Sequence, residues 1–342
     1  MIDRRTFLKS GTIAGLGLFV PNRSYGLSAG TEDAEEGLRV GIIGLDTSHS
    51  TAFAKLLNSQ TSVYGGYKVV AAYPLGSKDI ESSVRRIPGY TDEVRKSGVE
   101  IVSSIQDLLK KADVVLLETN DGRLHLEQAL EVFKAGKTVF IDKPVAASLS
   151  DVLAIYQAAE KYKVPVFSAS SLRYMSNMDD ILKNKSAGRV LGAETFSPCT
   201  LEATHPDFFW YGIHGVEALY TVMGTGCKTV SRIHTPDTDV ATGVWEDNRI
   251  GAFRGLRAGK TGYGGYVFGD KAIKLLGDYN GYAPLLADII RFFQTNVPPV
   301  TSAETIEIFT FMEAAHESTR RNGASVALAE VRAKALSEVK LY

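Results

Sequence analysis

Between Leu38 and Ser168, short apolar runs alternate with stretches of helical periodicity, and that alternation constrains the fold more than any other feature. Such an order implies a parallel sheet with crossover helices. Strands are expected at Arg39–Ile43, Tyr67–Tyr73, Val99–Val102, Asp113–Leu117, Thr138–Ile141 and Val164–Ser168. Helices are expected at Ser50–Asn58, Ile105–Lys110, Leu124–Ala135 and from a Ser150 cap to Tyr162. Gly136 suits a helix C-terminus. The segment holding Pro74, Gly76 and Pro88 reads as irregular. After Arg173, Tyr, Trp, Thr and Gly become frequent, with strand-like runs at Lys228–His234, Asp239–Val244, Arg249–Phe253 and Gly265–Val267, and helices at His214–Val222 and Ala283–Gln294. The fold class is α/β: a Rossmann-type parallel sheet over residues 38–170, then an α+β domain with an open antiparallel sheet over 171–342. The last helices have the option of packing back on the first domain.

In an open α/β sheet, ligands bind outside the carboxyl ends of the strands. Two segments sit there. Leu38–Gly44 is a first strand ending in glycine, and Thr138–Ile141 delivers Asp142, Lys143 and Pro144. A strand-end lysine meets small molecules, and burial tunes its pKa. Together they point to an enzyme with a nucleotide cofactor.

With 342 residues there is chain enough for two cores, and a net charge of −1 gives no basic surface for nucleic acid. Cys199 and Cys227 either pair or stay free; neither has metal-ligand spacing. Residues 1–30 read as a twin-arginine signal peptide: Arg4-Arg5-Thr6-Phe7-Leu8-Lys9, then an apolar run from Gly11 to Val20. That run is shorter than the roughly 20 residues needed to cross a bilayer. The expected destination is the periplasm or cell envelope. Membrane contact is then confined to export, and the cofactor is held tightly, since this route carries folded proteins.

The order and spacing of Val40-Gly41-Ile42-Ile43-Gly44, His125, Gly136-Lys137-Thr138-Val139, Asp142-Lys143-Pro144 and Gly212-Ile213-His214 resemble the glucose–fructose oxidoreductase, inositol dehydrogenase and MocA family. The resemblance implies NAD or NADP in the first domain, a sugar or cyclitol against the second, and pairing of subunits into a homo-oligomer. It maps the family's motif lysine onto Lys143, with Asp142 in place of glutamate, and the family's histidine onto His214.

Three positions depart from that pattern. Gly44-Leu45-Asp46-Thr47-Ser48-His49 puts Asp46 and His49 where the fingerprint has its second and third glycines. A carboxylate about 4 Å from a phosphate costs on the order of 4 kcal/mol at an effective dielectric of 20, unless Asp46 turns away to cap the helix. No acid ends the second strand; Gly76-Ser77-Lys78 there favours a ribose 2′-phosphate. Trp210 stands where the family has an aspartate, and Glu217 is its candidate substitute on the same helical face.

The candidate catalytic residues are Lys143, His214 and Glu217. His214 has the pKa range of a general base, Lys143 polarises a forming carbonyl or relays the proton, and Glu217 orients the imidazole. The cofactor candidates are Gly44, Asp46, Thr47, Ser48, His49, Ser77, His125, Asp142 and Lys143; the substrate candidates are Arg173, Tyr174, His205, Trp210 and Tyr211. No HxxxH or HExxH spacing occurs, so no metal is expected. The leading expectation is an exported NAD(P)-dependent oxidoreductase acting on a carbohydrate or polyol. The alternatives are a redox-neutral lyase, epimerase or glycoside-cleaving enzyme using transient oxidation, and a sugar-binding protein that has lost the cofactor.

Overall fold

The computed structural model describes residues 37–339. The expected signal peptide lies outside them.

The first sheet is parallel and six-stranded. Its strands are β1 (Arg39–Ile43), β2 (Lys68–Tyr73), β3 (Glu100–Ile101), β4 (Val114–Leu117), β5 (Val139–Ile141) and β6 (Val166–Phe167), in the order β3-β2-β1-β4-β5-β6. Order reverses between β1 and β4, and the crevice opens there. At that point Gly44 has φ +90°, and a Cβ on it would come within 2.5 Å of the Thr119 amide nitrogen. Only glycine lets the two loops pass so closely.

Five helices cross between these strands: α1 (Ser48–Ser59), α2 (Glu81–Lys96), α3 (Ile105–Lys111), α4 (His125–Lys134) and α5 (Leu149–Tyr162). Two expectations need correction. The supposedly irregular stretch after β2 contains α2, a sixteen-residue helix with Pro88 inside it. Proline there removes one backbone hydrogen bond, and the largely exposed helix is anchored by buried Ser83 and Val94. Helix α5 is capped by Ser148, whose Oγ accepts from the Asp151 amide at 3.1 Å; Ser150 lies inside the helix.

A 3-10 turn (Ser171–Tyr174) and α6 (Met178–Leu182) lead into the second sheet. Its strands are β7 (Val190–Pro198), β8 (Cys227–His234), β9 (Thr238–Trp245), β10 (Ile250–Leu256), β11 (Gly264–Gly269), β12 (Ile273–Leu275) and β13 (Val326–Ala327), in the order β12-β11-β7-β10-β9-β8-β13. The sheet is mixed rather than antiparallel, because β10 pairs parallel with β7, Ile250 opposite Gly192. Helix α7 (Ile213–Met223) packs on β7 and β10, and α9 (Ser302–Arg320) on β8. Cys199 and Cys227 are both free and buried.

Two chain returns bind the sheets into one body. Helix α8 (Ala283–Thr295) lays Leu285, Leu286, Ile289, Ile290, Phe292 and Phe293 in the same core as Val40, Ile42, Leu116, Phe140 and Phe167 of the first sheet. On the other face, α9 and α10 (Leu328–Glu338) pack on α5, and a single apolar core runs from β4 and β5 into the second sheet. No helix among the described residues is long and apolar enough to cross a membrane.

Candidate active site

A cleft of about 570 Å³ runs from the start of α1 to the second sheet. Thr47, Ser48 and His49 line one end, Lys143 and His214 the other. The first amides of a helix have no intrahelical partner and favour anions. Across the cleft mouth, Ser48 Oγ lies 3.0 Å from the hydroxyl of Tyr282, the residue preceding α8.

Lys143 and His214 reach the same cleft from different elements, as the sequence reading requires. Lys143 leaves the end of β5 and is 9% exposed, with Nζ 3.9 Å from Asp142 Oδ2. His214 is in the first turn of α7, and its Nδ1 lies 2.7 Å from Ser170 Oγ in the loop after β6. Nε2 has no protein partner among the described residues. In the tautomer whose Nδ1–H donates to Ser170, that nitrogen keeps its lone pair for a substrate proton. Burial, and then the charge of Lys143, holds the imidazole well below the usual histidine range, so it is neutral at neutral pH.

Glu217 does not orient this histidine; Ser170 does. Glu217 Oε1 accepts from the Ser170 amide at 2.8 Å and pairs with Arg173 at 3.4 Å. Burial pushes its carboxyl up to about 7 against the pull of Arg173. Arg173 is spent on Glu217 and on Glu304 at 2.5 Å, and the Tyr174 hydroxyl donates to Asp288 at 2.8 Å. Neither borders the cleft, because the 3-10 turn after β6 swings both side chains under α7, α8 and α9. His205 is also structural: Nε2 accepts from the Gly122 amide at 3.1 Å, and burial lowers its pKa to about 4. Trp210 and Tyr211 do line the cleft.

Asp46 is fully buried and caps nothing. Its Oδ1 accepts from the Asn120 amide at 2.9 Å and its Oδ2 from the Ser77 amide at 3.2 Å. Burial raises its pKa to about 6, with those two amides pulling the other way. Thr47 occupies the cap position of α1 without a side-chain hydrogen bond. Ser77 is absorbed too, its Oγ donating to Asp79 and accepting from the Ile80 amide. His125 touches no ligand space: its ring nitrogens meet the Val145 and Thr119 carbonyls at 3.1 and 2.6 Å, locking two loops together.

Several cleft residues escaped the sequence reading. Tyr263, Tyr279 and Tyr282 form an aromatic wall with Tyr211, the His214 ring lying 5.5 Å from Tyr211 and 6.1 Å from Tyr263. Ser82, Arg86 and Tyr90 come from the unforeseen α2. Glu118, immediately after β4, is fully buried beside His49 and Asp142. Its signal was present, a carboxylate at a strand's carboxyl end.

A dinucleotide can be tested against these groups. Its diphosphate and nicotinamide end fits: the α1 amides, Thr47, Ser48 and Lys143 border open space, and the Asp46 carboxylate is turned into the protein. The adenosine end does not find the usual crevice between the loops after β2 and β4. Asp46 bridges those loops, Asn120 Nδ2 donates to Ser83 at 3.0 Å, and Arg123 ties Asp79 to Asp121. Ser82, Arg86 and Tyr90, which line the same cleft, are the residues that would be left to hold adenosine.

The model of the oxidoreductase family described by its NAD-binding Rossmann fold matches residues 38–170. Inositol 2-dehydrogenase 3 of Saccharopolyspora erythraea is 30% identical over 122 residues, 35% of this chain and 32% of its own. Glucose-6-phosphate 3-dehydrogenase of Bacillus subtilis is 21% identical over 178 residues, 50% of this chain and 45% of its own. The match thus spans under half the length of each of these curated relatives. Among solved structures, scyllo-inositol dehydrogenase of Lactobacillus casei with bound NAD(H) and scyllo-inositol superposes with a TM-score of 0.70 at 16% identity, covering 86% of this chain and 99% of that one. Myo-inositol 2-dehydrogenase of Lactobacillus plantarum gives 0.69 at 17%, covering 85% and 99%. These two likenesses establish the fold. Over residues 38–170, the chain is similar to the GFO/IDH/MocA family of NAD-binding Rossmann oxidoreductases.

Proposed function

We propose that this protein is an NAD(P)-dependent oxidoreductase acting on a polyol or carbohydrate, exported by the twin-arginine route with its cofactor tightly bound. The observation that carries the reading is the meeting of Lys143, from the end of β5, and His214, from the first turn of α7, in one cleft that begins at the amides of α1. The α1 amides, Thr47 and Ser48 would hold the diphosphate, and the nicotinamide would supply hydride transfer near Lys143. Neutral His214 accepts the hydroxyl proton at Nε2, and the Lys143 ammonium stabilises the oxygen as negative charge develops on it. Tyrosine faces and the Trp210 ring suit the CH faces of a sugar or cyclitol. The exposed face of the second sheet, with Val244, Ile250 and Tyr266, is the proposed surface for pairing with a second copy.

Mass spectrometry of the small molecule released from natively purified protein tests this. NAD or NADP at about one per chain is expected. Protein that carries neither and binds neither on titration overturns the reading.

One observation favours a second reading. The bridges across the adenosine crevice suit a protein whose cleft takes a small polyol directly. Polyol binding that is indifferent to added dinucleotide would select it.

A further inference from the structure

His49, Glu118 and Asp142 converge beneath the cleft, from α1, the end of β4 and the end of β5. One ligand-type atom from each lies within 4.8 Å of the others. His49 Nδ1 is 2.9 Å from Asp142 Oδ1 and 3.9 Å from Glu118 Oε2. The two carboxylates are 0% exposed. Both oxygens of Glu118 and Oδ2 of Asp142 have no hydrogen-bond partner.

Such groups are costly to bury. A carboxyl with two unsatisfied oxygens forfeits its hydration for nothing, whether charged or neutral. Asp46, equally buried, shows the usual remedy, an amide for each oxygen. Glu118 has no such remedy, so something outside the polypeptide must supply it. A proton serves poorly, because a neutral Glu118 still has no partner at hydrogen-bond distance for its hydroxyl. Water answers the hydrogen bonds, and Lys143 Nζ, 3.9 Å from Asp142 Oδ2, offsets one of the two carboxylate charges but not both.

We infer that His49, Glu118 and Asp142 bind a divalent first-row transition ion of the zinc or manganese type. One imidazole and two carboxylates are a common donor set for such ions. Ligand bonds of about 2.0–2.2 Å set tetrahedral ligand atoms roughly 3.4 Å apart, so the 2.9 Å His49–Asp142 pair must open and Glu118 must swing in toward both partners by side-chain rotation. Of the three, His49 borders the cleft, and Glu118 and Asp142 lie buried behind it. The ligand sequence has no helical spacing, so the three residues meet only through the sheet. The binding stands whether or not a dinucleotide shares the cleft.

The test starts from full-length protein stripped with a chelator and desalted. Metal content after exposure to Zn²⁺, Mn²⁺ or Mg²⁺ is measured by mass spectrometry, and Co²⁺ substitution is followed by its visible absorption. One zinc or manganese per chain is expected, with affinity falling about 100-fold or more in Glu118→Gln and His49→Asn. Circular dichroism checks that each variant is folded. A wild-type protein that retains no stoichiometric ion, prefers Mg²⁺, or binds equally well in both folded variants overturns the assignment. The first two outcomes need no variant at all.

Discussion

The two ends of the cleft handle buried polar groups in opposite ways. Around the loops after β2 and β4, a run of polar groups is tied up within the chain: Asp46 with the Ser77 and Asn120 amides, Asn120 with Ser83, Arg123 with Asp79 and Asp121. Around β5 and α7, Glu118 has unpaired oxygens and neither Lys143 nor His214 Nε2 is consumed by a structural bond. A self-satisfied network rigidifies; an unsatisfied one awaits a ligand. Chemistry therefore belongs at the far end, and the near end serves as scaffold.

The largest effect that tests this contrast is on turnover. His214→Ala and Lys143→Met are each expected to lower kcat/KM on the proposed polyol or carbohydrate substrate by about 10²–10⁴-fold, with stability little changed. A loss of stability without loss of turnover would place these residues in the scaffold. Next comes Asp46→Ala, which strands two buried amides at about 1–3 kcal/mol each. Urea denaturation should show that loss, while titration should show tighter NAD(P) binding as the crevice loosens. Unchanged stability would mean the bridge is not structural.

The pH dependence is of similar or smaller size. Asp46 at about 6 and Glu217 at about 7 are both raised above the ordinary carboxylate range by burial. Each binds its proton more tightly folded than unfolded. Their contribution is thus fully present below about pH 4 and lost as pH rises through 6 and 7. At 1.36 kcal/mol per pKa unit, roughly 3 kcal/mol each is an upper bound. Urea midpoints between pH 4.5 and 8 should fall with pH, less so in Glu217→Gln. The smallest effect is Gly76→Ala, whose new Cβ would press on Asp46 Oδ2. It should cost about 1–3 kcal/mol; no cost would mean the Asp46 carboxylate moves freely.

Much of the first sheet was legible because its strands are short apolar runs punctuated by glycine and capping residues, as at Val114–Leu117 and Gly136. Helix α2 was hidden by Pro88 and Gly89, whose breaking signals tertiary anchoring overrode. The parallel pairing of β10 with β7 was illegible, since it depends on a crossover between distant segments. Lys143 and His214 were found by strand-end and helix-start position. Of the tyrosine wall only Tyr211 was found, because Tyr263 and the pair Tyr279 and Tyr282 come from two distant loops. Arg173 was misread because sequence cannot reveal that Glu217 and Glu304 claim it.

Helix α8 sets a condition on how any guest gets in. It is rooted in the first sheet's core by two phenylalanines, while Tyr282 just ahead of it leans over His49, ring centroids 4.5 Å apart. With α9 and α10 clamped to the opposite face, the lobes have little freedom to part like jaws. A guest reaches the cleft past the Tyr282 ring, so a smaller side chain at that position should speed exchange.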